Sequence, residues 1–417
     1  MNWKSIQPSS NASVLSLFYD LERSIPFFLK QKSIVSDILS LYSIGRFDLS
    51  LSQGVFKVSL NSTGKRYSMR SSLPLFPMEL EGQASGNLIS LNDSSITGQV
   101  KEKRLYWVEN SKIIRGYDIQ SGKKFSFECS GEIEITSGTN GKQKNLWAIT
   151  KNAEVYLFDE DLNVRENFPL YLDYKASAPV QGSQEGLIVP LSNGNLSFVS
   201  FDGSIEEVQL NLTGQIKSRP FVNGKTVLVY EKGFLGKIHK IEGKNYISDF
   251  ELSVPGVAYG SPVLFRKGKS EYISMITQNG NLFLWENGEV KSGFPLKLPG
   301  VFFSNVVYNG NYLFAVSDSA ELFRISTEGA FMAVKIPDAS CKEGFLTAKK
   351  IMQKGNSNIF VSLDGNSLYG FSEKLELLPF FPVPGWKNPV FTDLNGDSKA
   401  DILLLTADDK LAAWNIE

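Results

Sequence analysis

Histidine and cysteine are nearly missing from this chain of 417 residues: His239 is the one imidazole, and Cys129 and Cys341 are the two thiols. A Ser-His-Asp or Cys-His catalytic set would have to use His239. A zinc site of cysteine and histidine ligands has too few of both. His239 lies in Gly236-Lys-Ile-His-Lys240, between alternating residues of an expected strand. It reads as a half-exposed strand histidine rather than a catalytic one. The cysteines show no C-x-x-C spacing, read as two small unpaired hydrophobes, and do not fix a redox compartment.

An excess of charge is also missing, with 43 Lys+Arg against 44 Asp+Glu and a net charge of −1. A nucleic-acid backbone or an anionic membrane is therefore not expected as the dominant partner. No apolar run reaches the length of a membrane-spanning helix. Met1-Asn-Trp-Lys-Ser-Ile-Gln7 lacks the basic stretch and apolar run of a signal peptide. The chain reads either as cytoplasmic or as a piece of a longer exported protein. With 42% hydrophobic and 21% charged residues it has the composition of a globular protein.

What the chain does have is repetition. A polar turn followed by alternating apolar residues recurs at 150–158, 191–199, 277–285, 317–325, 363–371 and 406–414, with weaker copies ending at Tyr117 and Ile241. The eight copies end at 117, 158, 199, 241, 285, 325, 371 and 414, at steps of 40 to 46 residues. Phe-Pro recurs in the same register at 76, 168, 294 and 381.

Each unit reads as four short strands. Around Trp285 these are Gly260–Phe265, Tyr272–Ile276, Asn281–Trp285 and a fourth running up to Phe294-Pro295. Four strands in about 40–45 residues is the signature of a propeller blade, so an all-β, eight-bladed β-propeller is predicted. In the turns, Asn279-Gly280 and Asn193-Gly194 are expected to take positive φ at both positions.

The last unit lacks a fourth strand of its own. The segment 66–76, ending on the same Phe-Pro marker, is expected to supply it beside Lys410–Trp414. That closes the ring and removes an exposed edge, giving a propeller over 66–417. Residues 1–65 form an N-terminal extension, either a cap on the ring or the tail of an upstream domain. Helices are predicted over 13–22 and 32–42, and a hairpin over 46–51 and 55–60. The aromatics, 12% of the chain, are expected to fill the wedges between blades.

One local motif carries chemistry. Asp393-Leu-Asn-Gly-Asp-Ser-Lys-Ala-Asp401 places side-chain oxygens at Asp393, Asn395, Asp397 and Asp401, with Lys399 offering its main-chain carbonyl. That spacing lets a tight loop wrap a hard cation such as calcium. Leu404 stands where an EF-hand requires glutamate, so a strand-loop-strand hairpin is expected instead.

From Asn388 to Leu404, closing with Lys410-Leu-Ala-Ala-Trp414, the chain resembles the FG-GAP/VCBS repeat, the blade of integrin-α-like propellers. The resemblance implies calcium bound by Asp393, Asn395, Asp397 and Asp401. Ser398 departs from the usual glycine, and the other seven units lack the acidic loop. Ile114-Arg-Gly-Tyr-Asp-Ile-Gln-Ser-Gly-Lys-Lys-Phe125 resembles a second family, the PQQ-like repeat, with Phe125 where tryptophan is usual. That repeat is shared by quinoprotein dehydrogenases and by noncatalytic propellers such as the lipoprotein of the bacterial outer-membrane β-barrel assembly machinery. The adjacent cysteines of the catalytic members are absent here.

Together these features lead to the expectation of a noncatalytic platform for a protein partner, as a monomer or part of a larger chain or complex. The resemblances imply a periplasmic, cell-envelope or extracellular location. A quinoprotein-like oxidoreductase and a carbohydrate or surface adhesin are the alternatives.

Overall fold

The computed structural model describes residues 44–52, 55–62, 76–91, 104–140, 143–233, 235–336, 345–349, 357–363, 367–379, 381–394 and 400–414. The chain divides into two compact units, residues 1–70 and 71–417. In the first unit Ile44–Ser52 pairs antiparallel with Val55–Ser62, placing Phe47 opposite Leu60. The helices expected over 13–22 and 32–42 lie outside the described residues.

The second unit is an eight-bladed β-propeller, with eight antiparallel sheets following one another along the chain. Blade 1 runs through Ala84–Ser90, Arg104–Glu109, Ile113–Asp118 and Lys124–Glu128. Blades 2 to 7 begin at Ile133–Asn140, Gln181–Gly182, Gln215–Ile216, Val263–Lys267, Val307–Tyr308 and Phe345–Lys349. Blade 8 contains Trp386–Thr392, Asp401–Leu405 and Lys410–Trp414. First strands lie side by side between blades 1, 2 and 3 and between blades 4, 5, 6 and 7, and that of blade 8 lies against that of blade 1, so these strands line the axis of a closed ring. The approach is close. A Cβ on Gly182 of blade 3 would sit 2.0 Å from the carbonyl oxygen of Ser137 on blade 2, so only glycine fits there.

The repeat seen in the sequence is the third strand of each blade. Its end positions fall on Ile113–Asp118, Glu154–Phe158, Leu196–Val199, Gly236–Glu242, Asn281–Glu286, Glu321–Ile325, Ser367–Phe371 and Lys410–Trp414. Second and third strands are apolar on both faces because each sheet is packed between two others. Leu187–Pro190, Leu196–Val199 and Asp401–Leu405 are buried throughout. Fourth strands face solvent and carry mostly exposed residues, as in Phe331–Lys335.

The core therefore lies between blades and not within them. Seven apolar clusters among the described residues each straddle two neighbouring blades. One joins Tyr106 and Ile114 of blade 1 to Leu146 and Phe158 of blade 2. Another joins Leu403 and Leu411 of blade 8 to Leu105 and Trp107 of blade 1. Large aromatics fill these wedges as expected, with Trp147, Phe158, Phe314 and Phe323 fully buried. Each such side chain contributes about 2–3 kcal/mol of burial.

Two details differ from the sequence reading. Phe-Pro opens the fourth strand rather than ending it. Met78–Glu79, Leu170–Tyr171, Leu296–Lys297 and Val383–Pro384 each begin directly after a Phe-Pro pair and each pairs with a third strand. Proline has no N–H for the ladder, so it stands just outside the strand, which starts where donors resume. Ring closure is made by Met78 opposite Leu411 and Glu79 opposite Lys410. Of the expected strand 66–76, only Phe76 lies within the described residues, and it is buried between blades 8 and 1.

In the hairpin turns, positive φ falls on Gly194 (92°) and Gly280 (84°) but not on Asn193 or Asn279. The connection is a four-residue turn, closed by Gly280 N–H donating to Thr277 O at 2.9 Å. A left-handed residue then precedes the strand, unlike a two-residue loop that needs two such residues. Ala153 (67°), Ala320 (57°) and Asp409 (55°) take the glycine's place in blades 2, 6 and 8.

Candidate interaction surface and the acidic loop

One face of the ring is assembled by a recurring bond. The turn between second and third strands donates to the chain entering the same blade. The pairs are Lys151 N to Glu132 O (2.9 Å), Ser192 N to Lys175 O (2.8 Å), Gln278 N to Val257 O (2.6 Å) and Asp318 N to Val301 O (2.7 Å). Gln278 O also accepts from Phe302 N at 2.8 Å. The entry loops of blades 5 and 6 are thereby tied through one turn into a continuous surface.

That surface exposes apolar side chains. Tyr259 is 47% exposed, Leu235 53% and Val257 36%. Phe303 packs edge-on against Tyr259 with ring centres 5.3 Å apart. The Lys232 ammonium stands 4.9 Å from the centre of the Tyr259 ring. The loop is held from below by buried Tyr230, whose hydroxyl donates to Gly256 O (3.2 Å) and accepts from Ala258 N (3.3 Å). Burial pushes the Tyr230 hydroxyl upward, against the lowering effect of the Ala258 N–H, so it remains a donor.

Phe221, Val263 and Val307 make equivalent pairings with Leu228, Ser274 and Phe314. Lys217, Tyr259 and Phe303 stand four residues before them and thus occupy one position in three successive blades. Neither Lys217 nor Lys232 has a carboxylate partner among the described residues. Sequence reading did not single out this patch. Its available signal was a large or charged residue directly before a small one at the start of each unit: Lys217-Ser218, Tyr259-Gly260 and Phe303-Ser304.

Blade 4 also holds a buried polar array. Glu231 is 1% and His239 3% exposed. His239 Nε2 lies 2.7 Å from Glu231 Oε2, and Nδ1 lies 3.0 Å from the Tyr246 hydroxyl. The other Glu231 oxygen accepts from Thr213 N (2.8 Å), Thr213 Oγ1 (2.9 Å) and Gly214 N. Burial alone would raise the Glu231 carboxyl, but hydrogen bonds from His239, Thr213 and Gly214 hold it below the usual range. His239 is therefore fully buried, not half-exposed. A carboxylate directly after the apolar run 227–230 was the signal that it needed a buried partner.

The PQQ-like stretch 114–125 is the third strand, turn and fourth strand of blade 1. Asp118 caps the turn, accepting from Gln120 N and Ser121 N at 2.9 Å each. Arg104 bonds Asp118 at 3.3 Å and reaches Asp161 of blade 2 at 2.6 Å, while its guanidinium lies over Phe125. On the axis, Arg219 of blade 4 meets Glu134 of blade 2 at 2.7 Å. Val180 N of blade 3 donates to the same carboxylate at 3.3 Å. Burial raises the Glu134 carboxyl despite these two partners. These residues join blades.

The acidic loop connects the first two strands of blade 8, where Thr392 pairs with Asp401, so the expected hairpin is present. It lies on the face opposite the aromatic surface, since it joins the other ends of the strands. Asp393 is half-buried and Asp401 fully buried. Asp401 Oδ2 accepts from Leu394 N at 2.7 Å across the loop. Asn395, Asp397 and Lys399 lie outside the described residues.

No protein-family model matches the sequence, and no curated protein matches it. Solved structures match its fold. BamB from Moraxella catarrhalis superposes with a TM-score of 0.57 at 13% identity, over 81% of this chain and 98% of that one. The dihydro-heme d1 dehydrogenase NirN, in complex with DHE, gives 0.53 at 11% identity, over 68% of this chain and 64% of that one. The computationally designed Ika8 protein gives 0.51 at 11% identity, over 82% and 98%. A dehydrogenase and a designed protein stand among them, so the likeness is one of fold alone.

Proposed function

We propose that the chain is a noncatalytic β-propeller that serves as a protein–protein interaction platform of an exported or cell-envelope protein, with one calcium-binding loop in its last blade. The observation that carries this reading is the exposed Tyr259 ring packed on half-buried Phe303, with its neighbours Leu235, Val257 and Lys232 on one face of the ring. Exposed aromatics held on a rigid scaffold are the usual anchors of a protein interface. The noncatalytic reading is supported by the state of the two reactive groups that are described. His239 has both ring nitrogens engaged and no access to solvent. The Cys129 thiol is buried, and burial together with the nearby Glu154 charge pushes it up to about 12, away from thiolate chemistry.

Calcium would be held by the side chains of Asp393, Asn395, Asp397 and Asp401 and the carbonyl of Lys399. A buried Asp401 pinned by a loop N–H fits a site of hard oxygen donors. Envelope location is supported by the resemblances of the sequence. No helix among the described residues is long and apolar enough to cross a membrane.

The test is selection of binders from a displayed library of protein domains on the immobilised chain, repeated on Tyr259→Ala and Phe303→Ala. Binders lost on both variants support the platform. Reduction of an artificial electron acceptor after reconstitution with pyrroloquinoline quinone and calcium would establish the oxidoreductase instead, and binding on a glycan array would establish the adhesin.

A further inference from the structure

We propose that the Tyr259–Phe303 surface takes an acidic segment of a partner protein that also carries apolar side chains; the inference rests on the platform reading above. Charge chooses the occupant. The chain as a whole has slightly more acidic than basic residues, yet two cations at this surface, Lys217 and Lys232, are left without carboxylate partners among the described residues. Several other lysines of the propeller are paired, as Lys237 is with Glu251, Lys240 with Glu271 and Lys291 with Glu286. An incoming carboxylate would therefore meet ammonium groups that no internal acid competes for.

The geometry adds an apolar requirement. Lys232 is already held over the Tyr259 ring, so its charge is oriented before anything binds. Tyr259 and Phe303 meet edge to face, and Leu235 and Val257 extend the apolar area on the same side. A purely acidic chain would leave these groups in water. A segment alternating acidic and apolar side chains would cover both, with the aromatics as anchors and the lysines setting rate and selectivity.

An anionic membrane offers the same charges, but the structure favours a peptide. The cations are few, Lys217, Lys232 and Lys297, whose ammonium donates to Asn279 O in the same turn, against a net charge of −1 for the chain. Stable attachment to a lipid surface takes a cluster of several basic residues.

The experiment uses a fluorescein-labelled twelve-residue peptide alternating glutamate with leucine and phenylalanine, a matched peptide with lysine for glutamate, and an all-glutamate peptide. Anisotropy titration is run on the full chain, on Lys232→Glu and on Tyr259→Ala. Both sites are on the surface, and unchanged melting temperatures verify folding. The expected result is binding of the acidic–apolar peptide at least tenfold tighter than of either control, lost at least tenfold in each variant and weakened by salt. Equal binding of both apolar peptides, sensitive to Tyr259→Ala but not to Lys232→Glu, would overturn the charge inference and leave the platform standing. Absence of binding by every peptide, while domains selected from the library remain sensitive to Tyr259→Ala, would overturn the inference by the same division. Displacement of the acidic peptide by phosphatidylglycerol vesicles would assign the surface to lipid and overturn it too.

Discussion

The Asp409 carboxylate accepts a hydrogen bond from the main-chain N–H of Ala84 at 2.9 Å, across a separation of 325 residues. The carbonyl of Asp409 accepts from Leu80 N at 3.0 Å. One turn residue of blade 8 thus holds the segment that completes its own sheet and the first strand of blade 1. Asp409 does so from a left-handed conformation, φ 55°, which aspartate and asparagine tolerate better than most residues.

Asp409→Ala removes the acceptor and keeps the backbone strain. It should destabilise the propeller by about 1–2 kcal/mol, whereas Asp409→Asn, which retains an acceptor oxygen, should stay within about 0.5 kcal/mol. Urea midpoints of the two variants would separate the cases. Equal midpoints would mean that the seam bond contributes nothing.

Gly280 and Gly194 occupy the same turn in blades 5 and 3, but their surroundings differ. A Cβ on Gly280 would sit 2.3 Å from the Leu298 carbonyl oxygen, while one on Gly194 meets nothing closer than 3.9 Å. Alanine at Gly194 should cost about 1 kcal/mol, the penalty of positive φ alone. Alanine at Gly280 should cost at least twice that, and valine more. Thermal melts of the two alanine variants check the order.

Glu231→Gln should lower stability by about 3 kcal/mol at neutral pH, because the carboxylate accepts four hydrogen bonds in a buried site. Glu231 titrates below its ordinary value of 4.5 in the folded chain. Its contribution is complete above that unfolded value and is lost as pH falls through the lowered folded one. The gap between wild type and variant should therefore be constant from pH 7 to about 5 and shrink at lower pH. A gap that widens on acidification would contradict this sign.

Calcium should raise the melting temperature relative to chelator if the acidic loop binds it, by about 2.7 kcal/mol of stabilisation at 100 times the dissociation constant. Asp397→Ala should abolish the difference while leaving the chelated protein little changed. Identical melts of the unmodified chain with and without calcium would leave the loop as a polar turn.

The blade number and the place of each third strand were legible in the sequence because a strand buried on both faces must repeat its apolar residues without interruption. The fourth strands were not, because an exposed edge imposes little pattern. Phe-Pro was correctly taken as a marker and assigned to the wrong end of that strand. His239 was misjudged because alternation along Gly236–Glu242 reports faces of one sheet, and in a propeller both faces are covered by neighbours. The aromatic surface was invisible for a related reason. Tyr259 and Phe303 are 44 positions apart and meet only because two consecutive units bring their entry loops to one face.

The placement of the core between blades also bears on how such a chain can change over generations. When one sheet gains or loses a methyl group, the side chain that must compensate stands on the adjoining sheet, roughly one repeat away along the chain. Ile114 answers to Leu146, and Leu228 to Ile273. Related chains should therefore carry correlated substitutions at separations of one unit, running round the circle and including pairs between its two extremes, such as Leu105 with Leu403. A lineage that gained a ninth unit would have to break one of these partnerships and rebuild two.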